Sequence, residues 1–349
     1  MTTIRATSSA LTRFVVASRY MPVYLAIVLL VVVTSVWAPA TLGRVAISAI
    51  ASFGALLAIA ALGQMLVIMT AGIDLSTPGT MTLAALIMVG VSESSNDRLG
   101  TALLTALGVG AVIGLVNGIL IGGLKLNALI VTLAVGQVVA GVVSRYVRTF
   151  PVQSAVPPRL SEWTSTRIFG ISPVFWVGLL LTLLVIVGLR YTSVGRRFQV
   201  VGANPVASEV VGVRVTLNRI LVYVVAAVLY AIAGVLLAGI LRNPGVDIAS
   251  AYLLGPIAAV VIGGASLSGG LASPLSTFTA AFFLTGLNEM MRAMGMPTAL
   301  QFVVFGLVII GGMLVSGDRI IKAVERMLRE RRGSRRPRDK TTNSSIGDG

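Results

Sequence analysis

The chain has no cysteine and no histidine, and only 11% of its 349 residues are charged. These absences remove several chemistries at once: disulfides, thiolate nucleophiles, imidazole acid–base catalysis and the usual zinc sites all lack their side chains. No G-x-x-x-x-G-K-S/T loop occurs, so the chain carries no phosphate-binding P-loop of its own. No convergent pair of carboxylates lies within the apolar stretches, which argues against an intramembrane enzyme. What is abundant is apolar surface. Hydrophobic residues make up 56% of the chain and the mean hydropathy is +0.95. Such a chain cannot be a water-facing globular domain, and reads as an integral membrane protein.

Apolar runs of roughly 18 to 25 residues recur along the chain, the length needed to cross a hydrocarbon core of about 30 Å at 1.5 Å per residue. Residues 23–37 and 175–189 are apolar on every face. A spanning strand would instead alternate apolar and polar positions, so the expectation is an all-α integral membrane protein with about ten spans, some short or broken. The spans fall near 20–38, 44–70, 81–91, 99–123, 127–147, 174–190, 217–240, 254–264, 272–291 and 299–315. The first run is too long for a secretory leader and lacks a small-x-small exit, so it reads as a retained span.

The formal charge of +15 sits largely beside the spans and in the two ends, which is the pattern of positive-inside topology rather than of nucleic-acid binding. Arg5, Arg13 and Arg19 place residues 1–19 in the cytoplasm, and Arg190, Arg196, Arg197, Arg214 and Arg219 do the same for residues 191–216. Arg145, Arg148, Arg159 and Arg167 fall on the outer side in this scheme and run against the rule locally. Residues 317–349 read as a basic cytoplasmic tail, amphipathic at first and then disordered. The organisation expected is thus an N-terminal segment 1–19, a transmembrane domain 20–316 and the tail 317–349, with both ends cytoplasmic.

Two places cannot continue a helix comfortably. A-G-I-D-L-S-T-P-G at 71–79 holds two glycines, an aspartate and a proline, and G-G-A-S-L-S-G-G at 263–270 holds four glycines. Broken helices at membrane depth need protein or water to satisfy their backbone, so they mark Gly72, Asp74, Ser76, Gly263, Gly264, Ser266, Ser268 and Gly269 as candidates beside a translocation path. The plainer reading makes Ser76 or Thr77 a helix cap before Pro78, with Asp74 a second cap-like acceptor. The two motifs also echo each other: Gly72 aligns with Gly264, Ser76 with Ser268 and Leu83 with Leu275, as in a half-repeat. In the fourth span, Gly114 and Gly118 form a small-residue face for close helix approach, and Asn117 lies within it as one polar candidate.

Residues 195–215 form the polar, basic island between two long spans. Asn204 followed by Pro205 is a good helix start and Gly212 a good stop, which predicts a helix of about two turns over 205–211. Val206, Val210 and Val213 lie on one stripe of it, beside Ser208 and Glu209. So short a helix is unstable alone and needs a partner or the lipid surface to pack on.

G-R-R-F-Q-V-V-G-A-N-P-V-A-S-E-V-V-G-V in this island resembles the loop signature of permease subunits of bacterial ATP-binding-cassette importers, of the ribose and monosaccharide type related to branched-chain amino-acid permeases. A-G-I-D-L-S-T-P-G and I-A-A-V-V-I-G-G-A-S-L-S-G-G are similar to two further signatures of that family, in the same order, and the resemblance covers about 20–316. It implies a type II importer-like permease fold in the bacterial inner membrane. It also implies a second permease subunit, identical or not, a separate ATPase subunit and a soluble solute-binding protein outside. ATP and Mg would sit on the ATPase, with no cofactor on this chain. By the resemblance Gly202, Asn204, Ala207, Ser208, Glu209 and Gly212 are coupling positions, with Gly195, Arg196 and Pro205 in the same loop. Leu253 and Gly255 stand where the family often has acidic residues. A permease for a nucleoside, a branched-chain amino acid or a sugar derivative is an alternative. An ion-coupled transporter is a rival, though the span centres carry almost no ionisable residues to couple ions.

Overall fold

The computed structural model describes residues 2–149 and 155–316, with side chains left undescribed at 2–19, 149, 302 and 313–316. The basic tail 317–349 and residues 150–154 lie outside the described residues. Among the described residues the chain is helical without strands, apart from a two-residue bridge between Ile168 and Ile171.

Six stretches are long and apolar enough to cross a membrane: 20–37, 44–69, 99–123, 128–148, 173–191 and 215–241. They belong to helices α1 (Thr2–Trp37), α2 (Arg44–Met69), α4 (Leu99–Gly118), α5 (Ala128–Thr149), α7 (Pro173–Tyr191) and α10 (Val215–Leu241). Between and after them come α3 (Thr77–Ser92), α6 (Pro158–Ser165), α8 (Ser193–Ala203) and α9 (Pro205–Val210). The described residues end with α11 (Gly255–Ile262), α12 (Pro274–Ala293) and α13 (Thr298–Ser316). The first helix starts at Thr2 and runs without a break into the apolar stretch at 20–37. Eight-residue α11 rises only about 12 Å and cannot cross alone.

The core is built around α2, whose residues from Gly54 to Met69 are all buried or nearly so beneath α7, α10, α11 and α12. Helices α4 and α10 cross in close contact. A Cβ on Gly114 would strike the Tyr223 carbonyl, and one on Gly118 would lie 2.7 Å from the Ile220 Cα. In lipid, where apolar side chains gain little by leaving the solvent, such backbone approach supplies the dispersion contact that holds helices together. Leu25, Val28, Leu29, Val32 and Val36 line an exposed face of α1, and Leu180, Leu183, Leu184 and Val187 one of α7, as a lipid-facing surface requires.

The connections sort to two ends. At one end Ser94 Oγ donates to the Ala155 carbonyl (2.9 Å), the Arg159 N–H to Asn96 Oδ1 (2.9 Å) and the Val156 N–H to the Arg242 carbonyl (3.1 Å). The connection between α5 and α7 contains α6. At the opposite end lie the two predicted breaks and the basic island.

Candidate functional site

The basic island folds as two helices. The side chain of Thr192 accepts from the Gly195 N–H (3.1 Å) and starts α8, which doubles back so tightly that a Cβ on Gly195 would strike the backbone of Gly188 and Leu189 in α7. Phe198 and Val201 are the buried face of α8, while Arg196 and Arg197 are exposed. Sequence reasoning missed this helix and read its residues only as part of the polar, basic island. The available signal was Thr192 as a cap and two apolar residues three apart, Phe198 and Val201, masked by the basic pair Arg196 and Arg197 just before them.

The second helix is where the capping residues put it. Asn204 Oδ1 accepts from the Ala207 N–H (3.0 Å), Pro205 occupies the first turn, and α9 ends one residue short of the expectation. Ser208 is buried, its Oγ donating to the Asn204 carbonyl (2.7 Å). Gly212, at φ +79°, closes the end with its N–H on the Glu209 carbonyl (3.0 Å). Val206 is 72% exposed and Val210 84%, so these two positions of the apolar stripe have no cover among the described residues, while Val213 is half-buried. Glu209 and Ala207 are exposed beside it.

The first break is closed by side chains. Asp74 is fully buried, and its Oδ1 accepts from the Ser76 N–H (2.8 Å) and Ser76 Oγ (2.6 Å). Asn117 of α4 donates from Nδ2 to the same Ser76 Oγ (2.9 Å). Thr132 of α5 accepts from the Leu75 N–H (3.0 Å) and lies 3.1 Å from the Ile73 carbonyl. The Gln64 amide of α2 is satisfied at both ends when its oxygen accepts from the Asp74 N–H (3.1 Å) and its nitrogen donates to the Asp74 carbonyl (3.0 Å) and Tyr230 (3.1 Å). Asp74 is therefore the cap-like acceptor of the plainer reading, whereas the Ser76 side chain, at the cap position of α3, accepts no bond from the helix, which is met by the Ser76 carbonyl alone (Thr80 N–H, 2.9 Å). Asp74, Ser76 and Asn117 are enclosed by the chain rather than facing an open path. Their free atoms are Asp74 Oδ2 and Asn117 Oδ1, buried together with the Tyr223 hydroxyl.

The second break is closed by backbone. The Gly264 N–H donates to the Val261 carbonyl (2.9 Å) and the Ala265 N–H to that of Val260 (3.1 Å). The first break shows the same pair of bonds from Ala71 to Ile68 (2.9 Å) and from Gly72 to Val67 (3.1 Å). Ala71 and Gly264 share the left-handed backbone, at φ +61° and +84°. This is the closure that satisfies the last carbonyls of a helix. The structural equivalents are thus Ala71 with Gly264 and Gly72 with Ala265, one residue off the register of the sequence echo. Beyond that point the correspondence ends. Ser76 precedes α3, but Ser268 is an exposed loop residue and it is Ser273 that caps α12, its Oγ accepting from the Ser276 N–H (3.3 Å). Gly263 approaches α12, where an added Cβ would lie 3.0 Å from the Thr277 Cα, and Ser266 is buried.

The three motifs meet. The Gly270 N–H donates to the Met69 carbonyl (2.8 Å), joining the second break to the end of α2. Gly202 of α8 is packed against that same carbonyl, with its built Cβ 2.9 Å from the Gly270 nitrogen. At the other end, Leu253 is 39% exposed and Gly255 begins α11, where a Cβ would lie 3.0 Å from Leu57.

A multi-pass helical bundle with two broken helices gathered at one end, under a short amphipathic helix with an open apolar face, is the frame of a membrane transport permease. Comparison with known proteins carries this further. A family described as branched-chain amino acid transport system / permease component matches residues 46–313, and the chain belongs to that family of importer permeases. The chain is 31% identical over 321 residues to the autoinducer 2 import system permease protein LsrC of Enterobacter sp. (strain 638), covering 91% of this chain and 92% of that one. It is 30% identical over 265 residues to the ribose import permease protein RbsC of Escherichia coli (strain K12), covering 75% and 82%. No solved structure matches the chain.

Proposed function

We propose that the chain is the membrane subunit of an ATP-driven importer of the bacterial inner membrane, moving a monosaccharide such as ribose, or a related small polar solute, by alternating access. The observation that carries the reading is the meeting of α8 with both helix breaks at Met69, Gly202 and Gly270. It supplies a continuous path from the open face of α9 to the places where the spans are interrupted. The similarity to permeases named for ribose and for autoinducer 2 supports the cargo class.

In this reading a separate ATPase subunit, holding ATP and Mg, receives Val206 and Val210 in a groove. A second permease subunit completes the path, and a solute-binding protein delivers cargo at the end that carries α6. The chain crosses about ten times, with α3, α11, α12 and α13 completing the count and both ends in the cytoplasm. A two-state pore can be driven only by a ligand that binds its states unequally, and nucleotide-dependent closure of the ATPase pair on α9 provides that bias.

The test is reconstitution of the chain with its ATPase and binding protein in vesicles. Solute uptake should require ATP and survive collapse of ion gradients; uptake driven by an ion gradient without ATP would sink the reading. Within the complex, Glu209→Arg on exposed α9 should lower ATPase copurification several-fold while leaving the yield of folded permease unchanged, since surface substitutions away from packed features cost about 0.5 kcal/mol or less.

A further inference from the structure

Three chain segments from distant parts of the sequence meet backbone to backbone beneath α9. A Cβ at Gly269 would lie 2.6 Å from the Gly202 carbonyl and 3.2 Å from the Ala71 nitrogen, and one at Gly270 would lie 3.2 Å from both the Cα and the Cβ of Ala203. Together with the Gly270 to Met69 hydrogen bond of 2.8 Å, these contacts leave no room for a side chain at Gly202 or Gly269, whereas one at Gly270 would press first on Ala203. Gly202 is buried, while the residues that come after it on the way into α9 are exposed.

We propose that Gly202 is the positioning residue of a rigid junction that ties α8 to both helix breaks, so that the two breaks shift as one body when α9 is displaced. The inference rests on the importer reading and adds to it a division of labour: α9 meets the partner, and Gly202 meets the chain's own backbone. The physical reason for rigidity is the kind of contact. Side chains at an ordinary helix crossing can change rotamer and slip past one another, but packed backbones joined by a hydrogen bond have no such freedom, and close-packed contacts transmit displacement rather than absorb it. The far end of α8 is held in the same manner, by Gly195 against Gly188 and Leu189, so α8 is a short strut fixed to α7 at one end and to both breaks at the other.

Because the chain has no native cysteine, a cysteine pair can be read without background. In the reconstituted complex, Ala203→Cys with Gly270→Cys should form a disulfide on oxidation, since their Cβ positions, 3.2 Å apart, need to part by only a few tenths of an ångström to reach the span of about 3.5–4.5 Å that a disulfide bridges. The cross-linked complex should then take up solute at the rate of the single-cysteine controls. Failure to cross-link would deny the contact. Loss of uptake on oxidation, restored by reduction, would show that the junction has to open and would overturn the proposal. The second variant is Gly202→Ala, whose methyl group would strike the Met69 carbonyl. It should copurify with the ATPase at wild-type ratio, because α9 is untouched, yet lose about tenfold or more of its ATP-dependent uptake as the packed junction is forced apart. Wild-type uptake by this variant would overturn the assignment. A wild-type complex without any ATP-dependent uptake would instead deny the importer reading.

Discussion

The two helix breaks do the same geometric job by different means. Both close their preceding helix with the same pair of backbone bonds, yet the segments leading out of them differ. The first break is pinned from three sides: Gln64 of α2, Asn117 of α4 and Thr132 of α5 all engage residues 73–76, and Asp74 organises the turn. The second break runs on through Leu267 and Ser268, both exposed, before Ser273 starts α12. Where backbone polar groups are removed from water, side-chain acceptors fix one conformation; where a loop reaches the surface, water can serve and no such fixing is needed. Stiffness thus belongs to the first break and tolerance to the second.

That contrast can be broken by substitution. The largest effect is expected from Asp74→Ala, which strips the acceptor from a buried N–H and a buried hydroxyl and should cost about 2–3 kcal/mol, read as thermal or denaturant unfolding in detergent. Asp74→Asn keeps an acceptor and should cost clearly less; equal losses in the two variants would deny the capping role. Next is the pair of left-handed positions. Gly264→Ala should lose about 1 kcal/mol, and Ala71→Gly, relieving a methyl group at φ +61°, should gain about 0.5 kcal/mol. Shifts of the same sign would refute the structural register that equates the two. The smallest effect is expected from Ser268→Ala, an exposed position, within about 0.5 kcal/mol of wild type. A loss matching that of Asp74→Ala would erase the distinction between the breaks.

Much of the fold was legible in the sequence because lipid imposes a length on apolar runs. The run at 44–70 appears as Arg44–Met69, and that at 217–240 as Val215–Leu241. The start of α9 was equally legible, since Asn204 and Pro205 act through bonds to their own neighbours. Reading failed where the decisive contact was distant. Helix α8 exists because Phe198 and Val201 find a surface that only the folded bundle offers. The echo of Gly72 with Gly264 was set one residue out because identical letters were matched, whereas the backbone equates an alanine with a glycine.

The sequence by itself determined that this is a helical membrane protein with two interrupted helices and a short capped helix between spans, because hydropathy, helix breaking and capping are local properties of the chain. It also located Asp74 and Ser76 at a helix break and Asn117 on a small-residue helix face, and Gly202 through the resemblance of its loop to a permease signature. Only the tertiary structure decided that Asn117 reaches Ser76 and that Gly202 lies on the carbonyl of Met69 beside Gly270. Those contacts join residues far apart in the chain through close approach of backbones. Glycine permits such approach at many positions, and packing alone selects where it occurs.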